Sequence, residues 1–383
     1  MINDEKRLFK VALWLKETIK SFLQSVLLPA VYKMAAGKPV DERLVILSDC
    51  HHDKCPYSMM RMRDYLTGNT DYKVMEIYRD YSKGSFYALK ESIDFMRHYA
   101  VASYVFICDN HLPVAGAKKR KETKVVQLWH AGGALKRFGY DSEWNIPSSY
   151  KGGNVFGNYD MVTVSADYAV KPFSSAMRID EHTVRATGIS RTDYCYDRSY
   201  IDRQKKKFAE KHPGAAGKKV ILWAPTFRGS ASDPMFFGGD EIERLKNELS
   251  DRYYIIRKLH PHAKRRAEMN DSDMSSEALM LVCDIMITDY SSILYDYSLL
   301  QKPLILFAPD LDTYVRENGF YEDYDSIPAP HVTTYDGLVH AVRDAEECFD
   351  ADAMNAFRKR TMTYCDGHAT ERIIMEIMKN ENP

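Results

Sequence analysis

Five short, nearly continuous apolar runs constrain what this chain can become: RLVILSD (43–49), YKVMEIY (72–78), SYVFICD (103–109), KVVQLWH (124–130) and DMVTVSA (160–166). Helix-forming stretches such as SFYALKESIDFMRHYA separate them. Strands that are apolar on both faces belong in a parallel sheet covered by helices on each side. A lysine-rich stretch, DRQKKKFAEKHPGAAGKK (202–219), ends this set, and a second begins with KVILWAPTF and continues through YYIIRKLHP, LMLVCDIMITD and KPLILFAPD. The expected fold is therefore α/β, with two Rossmann-like doubly wound domains facing a cleft at the carboxyl ends of their strands. A length of 383 residues agrees, at roughly 150 residues per domain. The expected boundaries are an N-terminal helix over 1–38, a first domain over 39–205 and a second over 206–383.

In the N-terminal segment Leu8, Val11, Leu15, Ile19, Phe22, Leu23 and Val26 recur at helical steps, and Lys10, Lys16, Glu17 and Lys20 break any spanning run. The same charges argue against a cleavable signal. An amphipathic helix remains, either docked on a core or lying in the plane of an anionic membrane. Lys and Arg number 53 against 54 Asp and Glu, a net charge of -1, so no nucleic-acid partner is expected. The basic runs KKRKETK (118–124) and HAKRR (262–266) are solvated faces or contacts to anionic headgroups. Seven scattered cysteines, without a CxxC pair, read as reduced thiols rather than a metal site. The chain lacks GxGxxG and GxxxxGKT, which removes the best evidence for dinucleotide and P-loop readings.

Polar residues gather where the strands end. QLWHAGGALKRFG (127–139) puts Trp129 and His130 after an apolar strand, then a flexible turn with Gly132, then Lys136. WAPTFRG (223–229) places Thr226 and Arg228 in a loop after a strand. ITDYSSILYDYSLLQKP (287–303) runs into Thr288 and Asp289, then Ser291 and Ser292 ahead of a helix, where serines cap the helix or bind a phosphate. RKLHPHAKRR (257–266) sets His260 beside Arg257, Lys258 and His262, either a structural loop or a diphosphate clamp. CDGHATERI (365–373) brings Asp366, Gly367 and Thr370 to the start of the last helix.

In this order the motifs QLWHAGGALKRFG, WAPTFRG, RKLHP, ITDYSSILYDY and CDGHATER resemble those of the CDP-glycerol:glycerophosphate glycerophosphotransferases of wall teichoic acid synthesis, over about residues 40 to 375. The long polymerases of that family tend to carry WHG followed by Thr-Pro; WHAGGALKRFG is more similar to the primase branch. The resemblance implies a glycosyltransferase-B-like enzyme at the cytoplasmic face of the cell membrane. It would move glycerol phosphate from CDP-glycerol to a disaccharide on undecaprenyl diphosphate and release CMP. It also implies His130 as general base and His260, with Arg228, Ser291 and Ser292, on the donor phosphates. Asp366 and Thr370 would lie near the nucleotide, and Lys136 near the acceptor diphosphate. No cofactor and no obligatory metal are expected. The alternatives are a polymerising glycerol- or ribitol-phosphate transferase, a sugar-nucleotide glycosyltransferase, and a non-catalytic lipid-surface module.

Overall fold

The computed structural model describes residues 18–19, 21–80, 86–142, 146, 150, 152–226, 228–230, 233–259 and 270–378. The chain forms two compact units. The first comprises residues 1–130, 138–191 and 368–383; the second comprises 131–137 and 192–367. The lysine-rich helix Arg198–Lys211, read from sequence as part of the link, lies inside the second unit. The loop 131–137 leaves the first unit after His130, packs in the second, and returns at Phe138.

The first unit holds a six-stranded parallel sheet: β1 (Asp41–Asp49), β2 (Lys73–Tyr78), β3 (Ala102–Ile107), β4 (Lys124–Gln127), β5 (Met161–Val164) and β6 (Val184–Ala186), ordered β2-β1-β3-β4-β5-β6. Val45, Leu47, Tyr104, Phe106, Val126 and Leu128 pack with Met59, Met62 and Leu66 of one covering helix and Ile373 of the last. Each fully buried side chain of this kind contributes about 1.5–3 kcal/mol.

In the second unit β7 (Lys219–Trp223) is followed by an antiparallel ribbon of β8 (Arg228–Ser230) and β9 (Asp233–Met235). Then come β10 (Tyr253–Arg257), β11 (Ile285–Thr288), β12 (Leu304–Phe307) and β13 (His331–Val332). The five parallel strands are ordered β10-β7-β11-β12-β13. Counted from its own first strand, this is the order 2-1-3-4-5, which the first unit also follows. In such sheets the order reverses beside the first strand, and the crevice at the carboxyl ends there receives ligands. The two reversal points are β1/β3 and β7/β11.

Of the N-terminal segment, residues 1–17 and 20 lie outside the described residues. Leu28 and Tyr32 of the helix Leu28–Ala35 are buried, Tyr32 edge-on to Tyr99 with ring centroids 5.0 Å apart. Ile19, Phe22 and Val26, on the stripe read from sequence, are 51%, 56% and 51% exposed. No described helix is long and apolar enough to cross a membrane.

Candidate functional site

At the β7/β11 reversal Asp289 organises the loops. Its carboxylate accepts the backbone N–H of Thr226 at 2.9 and 3.1 Å and Nη2 of Arg228 at 3.1 Å. Arg228 also donates to both oxygens of Asp310, at 2.8 and 2.9 Å, and to the carbonyl of Thr226 at 2.6 Å. The guanidinium lies 4.9 and 4.7 Å from the ring centres of Tyr290 and Tyr314. Its N–H groups are thus largely spent, and Arg228 fixes the loop rather than standing open to an anion. Thr288 is spent as well, donating to the carbonyl of Ala224 at 2.6 Å between adjacent strands.

Other groups here are unspent. Ser292 is the residue before the short helix Ile293–Ser298, yet its side chain makes no capping bond. The hydroxyls of Ser291 and Ser292 are half-buried and engage no described residue. The Oγ1 of Thr226 is buried without a partner among the described residues. Lys136 sits in the same unit, backbone-bridged to Phe320. Burial pushes its ammonium below the usual lysine range, Asp289 pulling the other way. The acceptor-side placement expected of Lys136 from sequence therefore differs from its position in the second unit beside Asp289. Lys258 is held by the carbonyl of Ser272 at 3.0 Å, and burial lowers its pKa too.

In the first unit β4 ends at Gln127, and Trp129 turns the chain with φ 57°. Trp129, taken from sequence as a ligand contact, is buried against Phe138 and Phe173, with centroids 5.0 and 5.5 Å away. It also stacks on His130, with centroids 4.7 Å apart. The indole is a platform for His130. That imidazole stays 45% exposed; its Nδ1 lies 3.2 Å from the carbonyl of Cys108 and 3.6 Å from Asp109. A carbonyl only accepts, so in the neutral ring the tautomer that satisfies Cys108 has its proton on Nδ1 and a lone pair on Nε2.

The glycine pair is not an open approach. A Cβ on Gly132 would meet Met362 at 2.8 Å and Asp296 at 2.9 Å, and one on Gly133, at φ 64°, would meet the Tyr295 ring at 2.5 Å. Both glycines let the 131–137 backbone press on the helix Ile293–Ser298. The last motif is split: Asp366 is exposed and, with Gly367, belongs to the second unit, whereas Thr370 belongs to the first. There Thr370 is buried with its hydroxyl 2.9 Å from Ser190. His260 and His262 lie outside the described residues. Sequence reading passed over Asp310, Tyr290 and Tyr314 around Arg228. It also passed over Asp49 and His52, although SDCHHD closes and directly continues the first apolar strand.

The protein-family model described as CDP-Glycerol:Poly(glycerophosphate) glycerophosphotransferase matches residues 30–379. A teichoic acid ribitol-phosphate primase of Bacillus spizizenii (strain ATCC 23059 / NRRL B-14472 / W23) is 31% identical over 93% of this chain and 97% of its own length. A teichoic acid glycerol-phosphate primase of Bacillus subtilis (strain 168) is 30% identical over 71% of this chain and 72% of its own. Among solved structures, the wall teichoic acid polymerase TagF superposes with a TM-score of 0.76 at 22% identity, covering 96% of this chain and 97% of that one. TagF has also been solved after a CDPG soak. The two parallel-sheet units are thus the glycosyltransferase-B-like fold of TagF. The chain belongs to the CDP-Glycerol:Poly(glycerophosphate) glycerophosphotransferase family, with teichoic acid primases and polymerases as its relatives.

Proposed function

We propose that the protein primes wall teichoic acid. It moves one glycerol phosphate from CDP-glycerol to ManNAc-GlcNAc-diphospho-undecaprenol and releases CMP. The observation that carries this reading is the set of unspent groups at the β7/β11 reversal: the Ser291, Ser292 and Thr226 hydroxyls, with the Lys136 ammonium in the field of Asp289. Hydroxyl donors and a cation are what a diphosphate ester requires. The acceptor hydroxyl attacks the β-phosphorus, the new O–P bond forms, and the bridging oxygen leaves on CMP with the bonding pair. The proton passes to Nε2 of His130, the ring nitrogen not engaged by Cys108. His260 is assigned to the phosphoryl oxygens by the motif resemblance. Because the charge is met by side chains and hydroxyls, the transfer is proposed to need no bound metal.

A second reading, ribitol phosphate from CDP-ribitol, is favoured by the ribitol-phosphate primase matched over nearly its whole length. Mass spectrometry of the lipid-linked disaccharide after incubation with either donor separates the two, with and without EDTA. A gain of one glycerol phosphate that survives EDTA is expected. A gain from CDP-ribitol alone selects the second reading, a ladder of units indicates a polymerase, and EDTA-sensitive transfer removes the metal-free proposal. No transfer from either donor overturns the enzyme reading.

Peripheral attachment at the cytoplasmic membrane face is proposed from the exposed Ile19, Phe22 and Val26, which stand apart from the docked Leu28 and Tyr32. Replacing Phe22 and Val26 with serine should abolish sedimentation with anionic vesicles while transfer to a soluble acceptor continues. Unchanged sedimentation would reject this surface.

A further inference from the structure

The β1/β3 reversal carries a group that the proposed chemistry leaves unused. Asp49 ends β1 with its side chain almost fully buried, and its Oδ1 lies 2.8 Å from Nδ1 of His52. The same carboxylate takes the backbone N–H groups of His51 and His52, each at 2.8 Å, while its Oδ2 receives Cys108 Sγ at 3.5 Å. Burial pushes the Asp49 carboxyl up, but the bonds from His52 and from the His51 backbone hold it below the usual carboxylate range. His52 is therefore fixed through Nδ1, and its side chain remains 49% exposed. The bond to Asp49 raises its pKa against the opposing effect of burial, with Asp109 and Asp80 adding to the rise.

Among the described residues, charged and titratable groups meet here from several elements: Asp49 at the end of β1 with His51 and Asp53 after it, Arg79 and Asp80 after β2, Cys108 and Asp109 after β3, and His130 after β4. Arg79 is paired with Glu91 at 3.2 Å and lies 3.8 Å from Asp53. His111 is buried and neutral. Among the described residues carboxylates thus outnumber the cations around His52, which disfavours a second phosphate in this place. Imidazole and carboxylate together suit a hydroxyl, which donates to one and accepts from the other. The ends of β1 and β4 are two strand spacings apart, about 10 Å.

We propose that His52, held by Asp49, binds hydroxyls of an uncharged sugar end of the acceptor and orients it toward His130. This deepens the proposed function and rests on its assignment of the acceptor to the first unit. His52 is a positioning residue, so its loss should appear in acceptor KM rather than in kcat.

The test uses the full chain and a neutral ManNAc-GlcNAc lipid analogue. His52→Asn should raise acceptor KM about tenfold, with kcat and donor KM unchanged. In the wild type, acceptor KM should rise as pH increases through the His52 pKa and the Nε2–H donor is lost. Asp49→Asn should move that rise to lower pH, and His52→Asn should remove it. Ring resonances of His52, followed by NMR, should shift with the free disaccharide and not with glycerol 3-phosphate. Unchanged acceptor KM and a retained pH profile in a folded His52→Asn protein would overturn the inference, as would shifts caused by glycerol 3-phosphate alone. Failure of the wild type to use any acceptor rejects the proposed function instead, and the NMR arm still decides whether His52 meets a sugar.

Discussion

The two sheets reverse their strand order at the same step, yet the reversal points are built from different chemistry. At β1/β3 and the neighbouring end of β4, imidazoles are anchored through Nδ1 to a carboxylate or a carbonyl, leaving Nε2 outward. At β7/β11 a guanidinium is clamped between two carboxylates, and the groups left over among the described residues are hydroxyls and Lys136. The first arrangement suits the handling of protons, because an imidazole held at one nitrogen works at the other. The second suits charge, because clamped ions fix the loop that presents the unspent donors. Sheet order decides where a ligand is met; the residues that end each strand decide what is done with it.

The sharpest way to break this division is at His130. His130→Ala should lower turnover by about 10² to 10⁴, the usual range for a positioned base, while donor affinity stays nearly intact. Steady-state kinetics combined with calorimetry of CDP-glycerol binding reads both. A stable variant with near-normal turnover would move the base elsewhere. Equal losses of turnover, donor binding and thermal stability would make His130 a structural residue.

Acid separates the two reversal points next. His111 lies under the end of β1 with Nε2 2.8 Å from the Ser48 hydroxyl, and its Nδ1 accepts the N–H of Val114. Because the Ser48 hydroxyl donates to the carbonyl of Ile77 at 3.0 Å, Nε2 must carry the His111 proton. Burial lowers the His111 pKa from 6.5 to about 4. Between these values the unfolded chain binds a proton that the folded chain refuses. The stabilisation is complete above pH 6.5, declines as pH falls, and is gone near pH 4. The loss is roughly 3 kcal/mol. In the second unit the Asp310 carboxyl, raised by burial but lowered more by Arg228, keeps its charge to lower pH. Denaturant titrations should show His111→Gln less stable than wild type at pH 7 and the gap narrowing toward pH 4. A constant gap would place the acid sensitivity elsewhere.

Both sheets were legible because apolar runs of strand length betray themselves without partners. SYVFICD and KVVQLWH locate β3 and β4 to within a few residues. The run LMLVCDIMITD divides instead: its first part completes the helix Ser276–Val282, and only Ile285–Thr288 is strand. Periodicity does not distinguish a buried helix end from a buried strand. β6 and β13, three and two residues long, are too short to leave a pattern. At the site the strand-end residues were visible, but their duties were not. Asp289 and Arg228 look like ligand groups until Asp310, 82 positions beyond Arg228, is seen to neutralise the guanidinium. Trp129 looks like a contact until Phe173 covers it. His52 was hidden because its meaning comes from Asp49, and an Asp ending a strand is unremarkable until its carboxylate is found buried.

The smallest expected effect tests the charge-handling half. Ser291 and Ser292 are half-buried, and neither hydroxyl is engaged with a described residue or used to cap the helix. Losing both hydroxyls therefore leaves few protein groups newly unsatisfied, and the fold should tolerate the change. If the hydroxyls meet the donor diphosphate, the double change Ser291→Ala and Ser292→Ala removes hydrogen bonds to a charged group. CDP-glycerol binding should weaken by about 1–3 kcal/mol. Since proton transfer is proposed for the other unit, turnover at saturating donor should fall far less than in His130→Ala. Calorimetry on the folded double variant decides. Unchanged affinity would move the diphosphate to other groups of the second unit, with Lys136 and the buried Thr226 hydroxyl the next to replace. A loss of turnover as deep as that of His130→Ala would instead mean that the two reversal points do not divide the chemistry.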